Sequence, residues 1–265
     1  MNPRFPLRAL ALAASLLCGT GAFAQSRAVE ATHFTVDLSS IESDTSDSTS
    51  SGTLGGGLGV VFPLGNYLGA SLGGQYFDSS VRTRDVLGDS SDGGSRPSCG
   101  FKTLTGAASL FWRRPTLGKI GVTYGTGDLK SSCDGDAIFP LSGDNKASTK
   151  SYRAAGEYYL GDFTFGAAYV TTSLEQGDDL KSTTLSASWY PFESLKVTLS
   201  GNDLYSNNSY GLMLEHQPEM LGDGVSVRLG FSTSEDSPKT TTIEIGLAYF
   251  FGRQVPLKTR DRQYR

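Results

Sequence analysis

The chain has 265 residues, of which 38% are hydrophobic, only 19% are charged and 33 are glycine, with a net charge of −4. So little charge excludes a disordered, nucleic-acid-binding or acidic-tail protein. Mean hydropathy is −0.22, and no apolar run of bilayer-spanning length follows the N-terminus, which excludes a helical membrane protein.

Residues 1–24 read as a secretory signal. Arg4 and Arg8 form the positive region, Ala9 to Cys18 the apolar stretch, and Ala22-Phe23-Ala24 the small-x-small cleavage site before Gln25. A lipoprotein signal ending at Cys18 is the rival, but Leu17 stands where such signals carry a small residue. Cleavage removes two arginines, so the mature chain carries −6. It also removes Cys18 and leaves Cys99 and Cys133, and an even count in an exported chain suggests one disulfide. With two histidines and no CxxC spacing, neither a metal site nor a cofactor is expected.

From Ala31 the sequence falls into twelve segments of about 8–12 residues that alternate with period two, the signature of strands. Phe34, Val36 and Leu38 oppose His33, Thr35, Asp37 and Ser39. Leu54, Leu58, Val60 and Phe62 then oppose Thr53, Gly55, Gly57 and Gly59, and Leu68, Ala70, Leu72 and Tyr76 oppose Ser71, Gly73 and Gln75. Leu104 to Trp112, Ile120 to Tyr124, Tyr152 to Tyr158 and Phe163 to Tyr169 continue the pattern. Leu185 to Trp189, Leu195 to Leu199, Tyr210 to Leu214, Val225 to Phe231 and Ile243 to Phe251 complete it.

Every second connection is a compact turn: Pro63 to Asn66, Arg114 to Leu117, Leu160 to Asp162, Pro191 to Glu193, and the longer Gln217 to Gly224. The others, at 42–51, 78–100, 128–150, 174–179, 206–209 and 234–239, are polar and mostly longer. Short turns at one end, loops at the other and an even strand number predict an all-β fold, an antiparallel up-and-down transmembrane barrel of about twelve strands over residues 25–251. Both termini then lie on the periplasmic side. The tail, 252–265, is basic and expected to be disordered. A soluble sandwich or lipocalin-like barrel would alternate too. Against it stand a polar face of Gly, Ser, Thr and Ala, strand lengths that suit a tilted membrane strand, and two belts of aromatics. One belt runs from Phe62, Phe111, Trp112, Tyr159 and Tyr190 to Phe250 beside the turns; the other includes Tyr76, Phe77 and Phe101 near the loops.

The segment Glu244 to Phe251 resembles the terminal strand signal of Gram-negative outer-membrane barrels, with Gly246 followed by Tyr249 and Phe251. Such chains usually end on the last aromatic, whereas this one runs on to Arg265. Over residues 31–251 the architecture is similar to small porin-type, channel-forming barrels. The resemblance implies an outer-membrane location, and contact with outer-membrane lipids, lipopolysaccharide and the barrel-assembly machinery.

Twelve strands lie between barrels filled by side chains and those with aqueous channels. Small inward residues favour passive diffusion of small polar solutes or ions, with a closed structural barrel as the alternative. Parity places Asp37, Lys119, Arg153, Glu157, Lys196, Glu215, Arg228 and Glu244 inside, either to filter solutes or to pair across the lumen. The six loops hold sixteen acidic and seven basic residues, which predicts a mild cation preference. Asp89 to Asp92 and Asp134-Gly135-Asp136 lack the spacing of a calcium loop. Cys99 and Cys133 fall in the two longest loops, where a bridge would tie them over the mouth. A lipid-modifying enzyme is the weaker alternative. His33 and His216 lie on non-adjacent strands, and no GxSxG or HExxH occurs, so no catalytic residue is assigned.

Overall fold

A computed structural model describes residues 28–29, 31–46, 49–83, 98–133, 146–175, 179–204, 207–222, 224–235, 239–253 and 255–264. The signal segment and the aspartates of Asp89 to Asp92 and of Asp134 to Asp136 lie outside the described residues. Twelve strands form one closed antiparallel barrel in chain order. They are β1 (His33–Thr45), β2 (Thr49–Pro63), β3 (Leu68–Thr83), β4 (Ser98–Arg114), β5 (Gly118–Cys133) and β6 (Lys146–Leu160), then β7 (Phe163–Leu174), β8 (Leu180–Phe192), β9 (Leu195–Leu204), β10 (Asn207–His216), β11 (Val225–Ser234) and β12 (Thr240–Phe251). Strands β1 and β12 close the barrel over a register running from Phe34↔Phe251 to Thr45↔Thr240. No free edge is left, and backbone polar groups are satisfied within the sheet. A short helix, α1 (Leu257–Gln263), follows the last strand.

Alternation decides which face each strand presents. On β3 the exposed apolar set runs from Leu68 to Tyr76, on β4 from Trp112 back to Leu104, on β12 from Phe251 back to Ile243. Each interval covers nine residues, or eight residue steps, about 20 Å along the barrel axis at ~3.3 Å per step and a tilt of ~40°. Beyond the band, charges appear on the same outer face, as in the ion pairs Lys102–Asp78 (3.5 Å) and Lys146–Asp128 (3.0 Å). An outer surface on which Leu54 and Leu58 are 66% and 67% exposed is stable in lipid, not in water.

Five connections are the expected compact turns. In the two-residue turn between β6 and β7, Gly161 adopts φ +55°, a left-handed backbone that a side chain would disfavour. Pro191 was expected in a turn but belongs to β8, next to a register shift between Trp189 and Phe192. A bulge there tolerates the missing N–H. At the other end the strands outrun the sequence reading, because Ser and Thr pairs extend the ladder past the apolar band. Of the segments expected as loops at 78–100 and 128–150, only 84–97 and 134–145 lie between strands.

The tail is not disordered where it is described. Leu257 and Tyr264 are buried at 0% and 2%, and α1 packs against strand residues at the short-turn end of the barrel.

Candidate functional site

The inner wall is built from small and hydroxyl-bearing residues whose polar groups find each other across neighbouring strands. Ser43–Thr242, Ser109–Thr123 and Ser188–Thr198 pair at 2.9, 2.8 and 2.8 Å, and Ser182 donates to Asn202 at 2.8 Å. Glycines make room for the larger inward side chains. A methyl group at Gly55 would collide with the Phe77 ring, and one at Gly246 would stand 3.1 Å from Arg228 Nε.

The eight charged residues picked by parity lie opposite the exposed apolar positions of their strands, in two groups. In the first, Lys119 and Glu157 pair at 3.8 Å and line a recess with Arg153, Ser71, Ser109 and Thr123. In the second, Glu244 lies within electrostatic reach of Arg228, Asp37 and Glu215. The Asp37 carboxylate sits beside Gly57. Lys196 and Glu215 are opposite each other in the β9–β10 register, 3.9 Å apart at their charged ends.

Alternation also brings in a residue that was not singled out. Arg113 is fully buried, with its guanidinium 5.6 Å from the Phe111 ring centroid. Continuing the β4 inner set Thr103, Thr105, Ala107 and Ser109 by two steps would have found both. The expected aromatic belts are corrected in the same way. Phe111, Tyr159, Tyr190 and Phe250 beside the turns, and Phe77 and Phe101 nearer the loops, are buried inside, while Trp112, Tyr158, Trp189, Tyr249 and Phe251 stay exposed. Adjacent aromatics on one strand must point to opposite faces.

The short-turn mouth is occupied by the chain's own ends. From α1, Arg260 Nη2 donates to Glu215 Oε1 at 2.5 Å and, with Nη1, to Ser226 Oγ at 3.3 Å. Lys196 Nζ reaches Asp261 Oδ2 at 2.6 Å, and the Tyr190 hydroxyl donates to the same oxygen at 3.1 Å. Arg262 donates to the carbonyls of Gly161 and Phe163, both at 2.6 Å, and its guanidinium lies 5.1 Å from the Tyr159 ring centroid. Tyr264 packs edge-on against His33 and Phe250. At the rim Lys258 donates to Asp162 at 2.8 Å and to Glu193 at 3.1 Å. That hydrogen bond holds the Asp162 carboxyl below its usual range and raises the Lys258 ammonium. On the other side of the mouth, Val29 is fully buried against Val61 and Phe111.

At the loop end, Cys99 stands directly across from Cys133 in the β4–β5 register. Cys99 is buried with Phe101 and Leu129. Both cysteines therefore sit at strand ends and not in the loops where the sequence placed them. The histidines are apart: His33 packs on Phe250 with ring centroids 4.7 Å apart, and His216 Nδ1 lies 3.1 Å from the Ser194 carbonyl. In the terminal strand, Gly246 faces inward beside Arg228, while the Tyr249 and Phe251 rings meet edge-on at 4.4 Å on the outside.

No family model and no curated protein matches the chain. Its fold is similar to the translocator domain of the autotransporter NalP from Neisseria meningitidis, with a TM-score of 0.58 and 10% identity over 91% of this chain and 93% of that one. It is similar to an outer-membrane channel from Pseudomonas putida F1, with a TM-score of 0.62 and 14% identity over 84% and 96% of the two chains. A KdgM porin solved with disordered oligogalacturonate aligns at a TM-score of 0.50 and 8% identity, over 82% and 99%. These structural neighbours are channel and translocator barrels, and the chain has the fold of bacterial outer-membrane β-barrels.

Proposed function

We propose that this chain is an outer-membrane channel for passive diffusion of small polar solutes or ions, with a mild preference for cations. The observation that carries the reading is the contrast between the two faces of one closed sheet. The outside is a band of exposed Leu, Ile, Val and aromatics, and the inside carries Gly, Ser and Thr with charged residues set among them and buried aromatics toward its two ends. Where the wall of a twelve-strand barrel carries short polar side chains it leaves room for water, which a wall of large side chains throughout would not. Asp37, Lys119, Arg153, Glu157, Lys196, Glu215, Arg228 and Glu244 are the charged residues that passing solutes would meet. The cation preference rests on the excess of acidic residues at the loop end, which raises the local concentration of cations at low salt.

In this reading Cys99 and Cys133 form a bridge that staples β4 to β5 at the mouth, supported by their opposed register. The outer-facing band contacts lipid, the loop end meets lipopolysaccharide, and Gly246, Tyr249 and Phe251 present the terminal strand to the assembly machinery. Conductance of the refolded mature chain in a planar bilayer under a salt gradient tests the function. Discrete current steps with a cation-directed reversal potential are expected. An anion-directed potential would overturn the selectivity. Stable insertion without steps, in both the whole chain and one lacking the tail, would favour a closed structural barrel instead.

A further inference from the structure

We infer that the C-terminal segment, residues 252–265, is a displaceable plug of the channel's periplasmic mouth, and that the conducting state requires its release. The inference rests on the channel reading above and adds a gate to it.

The partners of α1 and of Tyr264, the residue that follows it, come from every strand from β7 to β12, and from β1. Thr164, Tyr190, Lys196, Glu215, Ser226, Phe250 and His33 each lie within three residues of the short-turn end of their strands. Such a set spans seven consecutive strands of the twelve, more than half the circumference, and Arg262 also reaches the Tyr159 ring of β6, so the helix lies across the opening and not along one wall. The two residues at its centre, Arg260 and Asp261, are charged and nearly fully buried. Each meets an opposite charge that projects from the wall: Arg260 meets Glu215 and Asp261 meets Lys196. Those wall residues are themselves among the pore-lining charges. The plug thus occupies the positions that a permeating ion would otherwise use.

The chemistry of the contact suits reversible docking. A permanently filled barrel end would be expected to pack apolar side chains, because buried ion pairs add little to stability over a hydrophobic filling. Here Leu257 is the single aliphatic residue buried from the helix and Tyr264 the one buried aromatic after it; the other contacts are ion pairs, hydrogen bonds and the Arg262 guanidinium over the Tyr159 and Tyr190 rings. Water and salt replace these on release. The segment Arg253 to Arg265 has five basic residues and one acid. A mouth closed by the plug is the narrowest point of the pathway and takes most of an applied voltage. A net positive plug is then driven out by a potential that is positive on the loop side, and driven in by the reverse.

The test compares four proteins in planar bilayers with insertion of known orientation: the mature chain, a chain ending at Gly252, Asp261→Lys, and Asp261→Lys combined with Lys196→Asp. The mature chain should show small steps that grow several-fold at loop-side-positive voltage and not at the opposite polarity. The shortened chain should conduct several-fold more at both polarities. D261K should resemble the shortened chain, and the charge-exchanged pair should return toward the mature one. Limited trypsin digestion in the same detergent gives a readout independent of current. Cleavage after Arg260 should be slow in the mature chain and in the exchanged pair, and at least tenfold faster in D261K, which also decides the matter if the shortened chain fails to insert. Equal conductance of the mature and shortened chains would overturn the plug and leave the channel standing. Absence of current from all four would overturn the channel, and the gate with it.

Discussion

Arg260→Ala offers the sharpest quantitative check on how the helix is held. Arg260 and Glu215 are buried, with side chains 2% and 3% exposed, and their ion pair is the shortest made by α1. Removing one partner of such a pair costs about 3–5 kcal/mol, most of it from the charge left behind. Glu215 would keep a hydrogen bond from Ser226 at 2.8 Å and Lys196 at 3.9 Å, so the lower end of that range applies. Near 3 kcal/mol, at about 1.4 kcal/mol per tenfold, the docking equilibrium shifts roughly 100-fold. Hydrogen exchange followed by mass spectrometry reads this directly, because the amides of Arg260 and Tyr264 bond to the carbonyls of Pro256 and Arg260 only while the helix is formed. Protection of 257–264 should fall about 100-fold in Arg260→Ala, with β-strand peptides unchanged. Arg262→Ala, which loses hydrogen bonds near solvent worth about 1 kcal/mol, should lower it about fivefold. Equal small effects from both variants would refute the reasoning that the buried pair dominates.

The rim pairs set the pH dependence. The Asp162 carboxyl is lowered, so its contribution is present above pH ~4 and is lost as pH falls through the lowered value. The Lys258 ammonium is raised, so its contribution is full below pH ~10.5 and is lost as pH rises through the raised value. A fluorophore on Gln263→Cys should therefore report constant docking from pH 5 to 9 and release only in acid or strong base; a transition near neutrality would contradict this. If Cys99 and Cys133 are bridged, the mature chain is two mass units lighter than its reduced form, and Cys99→Ser lowers unfolding stability by about 3–4 kcal/mol in the loop-entropy picture. Two free thiols by mass spectrometry would end that proposal. Gly55→Ala should cost about 1–3 kcal/mol by overpacking against Phe77. Combining it with Phe77→Leu should recover part of the loss in a urea titration, whereas strict additivity would show that the two do not touch.

Strand number, the order of turns and loops, and the inner or outer side of each residue were legible in the chain itself. The reason is that alternation with period two is a local property, and a sheet with lipid outside and polar residues inside must obey it at every position. Thus Lys119, Glu157, Lys196 and Glu215 were placed on the inner face from parity, before any partner was known. Parity applied less strictly went wrong, as when Phe111, Tyr159, Tyr190 and Phe250 were grouped with the outer aromatics by nearness to a turn. What only the tertiary structure decided was what those residues meet. A seven-residue helix is too short to persist in water alone, so nothing in residues 252–265 announces it. It exists because β9, β10 and β11, closed into a barrel, bring Lys196, Glu215 and Ser226 to one mouth. Ion pairs formed across intervals of 45 and 65 residues then supply the energy that local sequence lacks.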